Sequence, residues 1–390
     1  MEKTVSKNCI YGIYTGRLLN SVLNNTAPPA LPPQFDIDEL FAFHSHQSVA
    51  NMAYCGLKQL DIPSEKLKAY YDDYKMMLLR EARFEMASQQ VFSALEKAKI
   101  PFIPLKGAII KKLFPQESLR SFTDVDIYIG DKVEQTGKVM ESLGFTVEST
   151  AEYDVGYFKK PSLFFEMHSK LFEEDYSFEG YFENPFEKAK PICEGSCHYQ
   201  LNDEDFFIHV FCHLYKHFSF GGCGLRQFMD VYVLTKSLDL DYEYINRELE
   251  KLELTDFFET VKKVNSVVFE GEKPDENIID ICDYIFSNGT FGTDRIIAVN
   301  EFGAQDKNIL VWKIRYFANR WGLSYPRMKE NYKVLEKVPV LLPFCWIHKG
   351  FRVLFFRRDV LKSQIKDIDE YNQDYSQYLK HIWEISGVKR

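Results

Sequence analysis

Between Pro101 and His168 the apolar residues abandon the three-and-four spacing that precedes them, and after Asn202 they return to it. A helix brings residues three and four apart onto one face, whereas a strand sends successive side chains to opposite faces. The chain therefore reads as a strand-bearing segment set between two helical ones. Upstream, residues 1–25 predict a short helix. The run Thr26-Ala-Pro-Pro-Ala-Leu-Pro-Pro-Gln34 then breaks regular structure, because proline fixes φ and lacks a backbone donor. From Asp36 to Ile100 the pattern is helical, with Asp38 as the expected N-cap before Leu40, Phe41 and Phe43. Glu65–Lys97 predicts one or two amphipathic helices packed through Leu78, Leu79, Ala82, Phe84, Val91 and Leu95.

Inside the strand-bearing segment, Pro101–Leu105, Asp124–Ile129, Phe145–Val147, Gly156–Lys159 and Leu163–His168 read as strands. Gly107–Leu113 reads as a short helix, and Lys132–Leu143 as an amphipathic one that Gly144 caps. Asn202 or Asp203 caps a helix through Phe206 to Phe218. The loop Ser219–Gly224, a helix over Arg226–Ser237 and mainly helical chain to residue 390 follow, with a break at Asn288-Gly289. The expected class is α+β: a small mixed β-sheet flanked by N- and C-terminal helical segments. The expected boundaries are 1–98, 99–200 and 201–390.

The 390 residues suffice for two or three domains, and 33 Phe with 23 Tyr promise an aromatic core. A net charge of −9 argues against a nucleic-acid backbone as the main partner. The eight cysteines are scattered without a CxxC pair, which fits reduced thiols in a cytoplasmic protein. Cys193, Cys197 and His198 lack the ligand spacing of structural zinc sites. No stretch approaches the roughly 20 apolar residues of a membrane span. The N-terminus carries no apolar leader, and Pro339 and Pro343 interrupt Val338–Trp346.

The chemistry concentrates at Asp124-Val125-Asp126. On a strand, residues i and i+2 share a face and lie about 6.6 Å apart along the chain. Two such carboxylates can share a hard divalent cation, and without one they repel. Just upstream, Leu105-Lys106-Gly107 stands at a strand-to-helix junction. There a glycine admits a phosphate to the backbone and Lys106 adds a cation. Downstream, Phe164-Phe165-Glu166-Met167-His168 puts Glu166 and His168 on one strand face. If that strand lies near the Asp124–Asp126 strand, Glu166 is a third carboxylate, which two-metal phosphoryl or nucleotidyl transfer requires.

The order Leu105-Lys-Gly107, Arg120-x-x-x-Asp124-x-Asp126 and Glu166-x-His168 resembles the DNA polymerase beta-type nucleotidyltransferase superfamily. Within it, the chain is most similar to a poorly characterised bacterial family with the pattern LKG…R…DxD…ExH. The likeness is sharp between about 103 and 230. It extends diffusely to Phe43-His44-x-His46 and to Trp346–Arg352. It implies Mg²⁺ or Mn²⁺ on Asp124, Asp126 and Glu166, with an NTP as substrate. One departure is visible: Lys106-Gly107-Ala108 replaces the superfamily's glycine-serine turn, so the serine that would touch the triphosphate is missing.

Further candidates lie outside these motifs. His209, His213 and His217, at i, i+4 and i+8, fall near one helix face, and His213 and His217 are the expected ligand contacts. Arg226 and Asp230 can pair across one turn, or Arg226 can reach phosphate. Arg120 can orient a carboxylate or contact phosphate. His348-Lys349, Arg352, Arg357 and Arg358 belong to a basic, aromatic helix expected to pack through Phe351, Leu354 and Phe355. The expected activity is transfer of an NMP group to an acceptor hydroxyl on a small molecule or protein. The alternatives are an inactive nucleotide-binding protein of the same fold, the transferase of a toxin–antitoxin pair, and a helical interaction protein with an accidental DxD.

Overall fold

The computed structural model describes residues 5–172, 178, 180–290, 292, 293, 296, 325, 328, 329, 332–356 and 373–389. It divides into two compact units. The first comprises Met1–Lys216, Cys223–Thr290 and Ile385–Arg390, and the second His217–Gly222 and Phe291–Glu384.

Four helices open the first unit: α1 (Lys7–Leu23), α2 (Ile37–His46), α3 (Ala50–Leu57) and α4 (Lys68–Lys97). The N-cap of α2 is Asp36, not Asp38; the Asp36 carboxylate accepts from the backbone N–H of Asp38 and Glu39, both at 2.9 Å. That puts Asp38 in the first turn, where a carboxylate still favours the positive helix end. The α4 helix is one piece of 30 residues. Its inward stripe is Phe84, Ala87, Val91 and Leu95. Leu79 and Ala82 are exposed, against expectation, because the stripe passes one position to their side.

The sheet is β1 (Ile103–Pro104), β2 (Val125–Tyr128), β3 (Thr146–Thr150), β4 (Asp154–Lys159) and β5 (Leu163–His168), ordered β1-β2-β5-β4-β3. Strands β2 and β5 are parallel, and every other neighbouring pair is antiparallel. A parallel pair needs a crossover, here supplied by α6 (Val133–Ser142) and the β3–β4 hairpin. A single-turn helix, α5 (Gly107–Ile110), follows β1. Gly144 closes α6 with φ +81°, the left-handed backbone expected of it.

The pairing register sorts the two faces of the sheet. Val125 pairs with Phe165 and Ile127 with Met167; these four side chains join the α4 stripe, Met140 and Phe145 in one core. Phe165 meets Phe145 edge-on at 5.3 Å and Phe84 at 6.1 Å. Each such buried ring stabilises by roughly 1.5–3 kcal/mol. The opposite face receives the other half of the register, Asp126 beside Glu166 and Tyr128 beside His168.

After the sheet comes a two-stranded ribbon absent from the sequence reading, β6 (Ala189–Pro191) and β7 (Tyr199–Leu201). The helices α7 (Asp203–Phe220), α8 (Leu225–Ser237), α9 (Tyr242–Lys251), α10 (Thr255–Asn265) and α11 (Glu276–Asn288) follow. Asn202 caps α7 through the Asp205 N–H at 2.7 Å. That helix runs two residues past the expected end at Phe218, and Gly289, at φ +67°, terminates α11.

In the second unit, α12 (Leu342–Phe356) leaves Phe351 56% exposed. Arg357 and Arg358, and the side chains of Arg352, Leu354 and Phe355, lie outside the described residues. α13 (Gln373–Ser386) closes the chain. Among the described residues no helix is long and apolar enough to cross a membrane.

Candidate active site

Asp126 is the centre of the polar sheet face. Its side chain is 10% exposed, and Oδ1 takes two hydrogen bonds, from Lys106 Nζ at 3.0 Å and from His168 Nε2 at 2.9 Å. The same His168 nitrogen lies 3.7 Å from Glu166 Oε2. Burial alone would raise the Asp126 carboxyl. The Lys106 charge and the His168 hydrogen bond outweigh burial and hold it well below the usual carboxylate range.

Glu166 behaves oppositely. Burial, then the charges of Asp126 and Asp124, push its carboxyl up to about 7. Asp124, half-buried one residue before β2, is raised by burial and by Asp126. At Asp124 and Glu166, burial and the neighbouring carboxylates thus outweigh the nearby cations, which at Asp126 prevail.

One ligand atom each from Asp126, Glu166 and His168 fall within 4.8 Å of one another. That oxygen-rich set suits Mg²⁺ or Mn²⁺. Of the expected trio, Asp126 and Glu166 come together because β2 and β5 pair in register. Asp124 stays in electrostatic reach but outside that group, because it precedes the strand and the period-two alternation does not hold it.

Lys106 and Gly107 form the turn between β1 and α5. Lys106 adopts φ +42°, uncommon for a residue with a Cβ and costing of order 1–3 kcal/mol. Gly107 has a reason other than phosphate access: a Cβ there would stand 2.5 Å from Arg120 Nη1. The following helix is a single turn, too short for the N-terminal field on which the phosphate argument rested.

Arg120 makes a two-pronged pair with Asp230 of α8, at 2.8 and 2.7 Å, both side chains buried. The Arg226–Asp230 pairing across one turn therefore gives way to this bridge between elements. Arg226 donates instead from Nη1 to the Ser121 carbonyl at 2.8 Å. Its Nε is buried and has no partner among the described residues. Burial and then Arg120 bring its guanidinium down to about 10.

The histidine row divides. His209 is fully buried between the rings of Phe172 and Phe182, at 5.5 and 5.6 Å. Burial, with the Lys106 charge, brings its imidazole down to about 3. His213 lines a cavity shared with Lys106 and His168. His217 lies a turn further along α7, in the second unit. Lys170 and Lys216, which line that cavity, escaped the sequence reading. The available signal was spacing: Lys170 is two residues past His168, and Lys216 three past His213.

Comparison with curated proteins and with solved structures gives no match. The profile of the family described as "Uncharacterised nucleotidyltransferase" matches residues 33–265, a span that runs from the opening helices through the sheet to α10 and covers more than half of the chain. The chain belongs to this uncharacterised nucleotidyltransferase family.

Proposed function

We propose that the chain transfers an NMP group from an NTP to an acceptor hydroxyl on a small molecule or a protein. The observation that carries this reading is the Asp126–Glu166–His168 cluster, with Asp124 adjacent and Lys106 on Asp126. Residues 99–200 are read as the catalytic core, with α7 and α8 beside it. Asp126 and Glu166, with Asp124, would hold Mg²⁺ or Mn²⁺, which supplies charge neutralisation on the phosphates and acidifies the attacking hydroxyl.

The chain's own groups do the rest. The acceptor oxygen bonds to the α-phosphorus as the bond from that phosphorus to the bridging oxygen breaks, and pyrophosphate leaves. Glu166, beside Asp126 on the same sheet face, takes the hydroxyl proton. Lys106 faces the negative charge that builds on the phosphate oxygens, and His168 keeps Asp126 oriented. Arg120, tied to Asp230, is a positioning residue that fixes the turn at Gly107.

One observation favours a second reading, nucleotide binding without turnover: Ala108 has no hydroxyl where the superfamily's turn carries serine. Incubation with each α-labelled NTP, Mg²⁺ or Mn²⁺ and a cell lysate as acceptor source separates the two. Label transfer by the wild type and not by Asp126→Asn supports the transferase. Metal-dependent nucleotide binding without transfer supports the second reading.

A further inference from the structure

The helices that follow the sheet enclose a cavity of about 390 Å³, within the size range of small-ligand sites. Val231, Tyr232 and Thr235 of α8 line one side of it, and Phe258, Val261 and Asn265 of α10 another. None of the carboxylate-site residues lines it. Asn265 ends α10, and a π-helical turn, Ser266–Glu270, continues from it. Such turns are rare and gather at functional sites.

The polar lining is almost wholly committed. Tyr232 donates from its hydroxyl to Asn20 Oδ1 at 3.1 Å, Thr235 to the Tyr232 carbonyl at 2.8 Å, and Ser266 to the Lys263 carbonyl at 2.9 Å. Lys236 pairs with Glu270 at 2.7 Å and Lys262 with Glu259 at 2.6 Å. Each cation of the lining thus has its carboxylate, and the cavity has no demand for a charged occupant. Asn265 is the exception. It is 6% exposed, and its Oδ1 is buried with no hydrogen-bond partner among the described residues. A buried acceptor left unpaired costs stability, a cost that an apolar side chain of similar shape avoids. The terminal torsion of an amide is soft, so a turn about χ2 presents either end of the Asn265 side chain to the cavity.

We propose that this cavity binds an uncharged planar ring with a donor and an acceptor side by side on one edge. That edge matches the amide of Asn265, which carries the same two groups, in the way asparagine matches the corresponding edge of adenine. The walls at Val231, Tyr232, Phe258 and Val261 take the faces of the ring. The site stands independently of the transferase reading.

The test is calorimetric titration of the full chain with adenine, uracil and 2-pyridone in metal-free buffer. At least one of these rings binds the wild type, and its counterpart methylated on the pairing nitrogen binds about tenfold more weakly. Asn265→Leu weakens the same ring about tenfold or more. Without ligand it melts no lower than the wild type, because it removes an unpaired acceptor. If it melts lower, Thr235→Trp decides: it fills the cavity, leaves Asn265 in place and abolishes binding. Asp126→Asn binds the ring as the wild type does. Failure of all three rings to bind, or unchanged affinity in Asn265→Leu or Thr235→Trp, overturns the site. Loss of binding in Asp126→Asn also overturns it, by placing the ring among the carboxylates.

Discussion

The first unit contains two carboxylate clusters with equal numbers of groups and opposite character. Glu81, Glu85 and Glu117 surround Lys111; Asp126, with Asp124 and Glu166 nearby, pairs with Lys106. In the first cluster, Lys111 Nζ meets one carboxylate oxygen from each glutamate, at 2.5, 3.1 and 3.1 Å. The lysine is 7% exposed, while Glu85 and Glu117 keep 46% and 44% of their side-chain surface in water. Burial pulls the Lys111 ammonium down, but the Glu81 hydrogen bond and charge prevail and it ends raised. This cluster is a plug: one cation uses its three donors, water reaches Glu85 and Glu117, and only Glu81, raised by burial, keeps an oxygen buried without a partner among the described residues.

In the second cluster, Lys106 is engaged with Asp126, and the remaining carboxylates are withdrawn from solvent. Glu166 keeps 30% of its side-chain surface and is pushed up to about 7. At Asp124 the charges of Lys106, Arg226 and Arg120, and at Glu166 those of His168 and Lys106, are outweighed by burial and by the neighbouring carboxylates. Ligand count therefore does not distinguish a structural cluster from a cation site; burial and unneutralised charge do.

The largest expected effect separates the clusters by rate. Asp126→Asn removes the shared carboxylate, and label transfer falls by at least about 10³-fold, the scale of the several kcal/mol a metal site supplies. Lys111→Met leaves the specific rate of the folded protein within about twofold, because that plug touches no reactant. A loss of transfer in Lys111→Met equal to that in Asp126→Asn would erase the distinction.

The next effect is on stability. Removing Lys111 leaves buried Glu81 uncompensated and destabilises by about 3 kcal/mol in denaturant unfolding. This is the lower end for a broken buried pair, since two partners keep their water. A change below about 0.5 kcal/mol would mean that the plug is only a surface contact.

The smallest effect has the opposite sign. The Glu166 carboxyl is raised in the fold, so between about pH 4.5 and 7 the folded chain holds a proton that the unfolded chain releases. That group's contribution to stability is lost as pH rises through this window. Glu166→Gln is therefore expected to stabilise the metal-free protein by about 1–2 kcal/mol at pH 8 and by nothing near pH 4. Destabilisation at pH 8 would show that Glu166 is a satisfied structural group.

The strands, their alternation and the chemistry-bearing residues were legible because Asp124–Ile129 and Leu163–His168 carry the period-two pattern themselves. Their parallel pairing was not written in either segment; it follows from the crossover through α6. So the neighbourhood of Asp126 and Glu166 was a conditional expectation, and Asp124's place outside the ligand group was invisible. The exchange of Asp230 from Arg226 to Arg120 was hidden for a similar reason. Sequence spacing shows contacts within a helix, while this one joins residues 110 apart. Gly107 was singled out for phosphate access, while the close approach of Arg120 Nη1, 2.5 Å from where a Cβ would stand, was not legible in the sequence. The inward stripe of α4 slipped past Leu79 and Ala82 because an amphipathic pattern with apolar residues on both flanks has no unique face.

Manganese binding followed by electron paramagnetic resonance tests the central claim most directly. The account predicts that the wild type binds Mn²⁺, that Asp126→Asn and Glu166→Gln each lose that binding, and that Glu117→Gln in the Lys111 plug retains it. Binding that survives Asp126→Asn, or that disappears with Glu117→Gln, would contradict the assignment of the cation site to the polar face of β2 and β5.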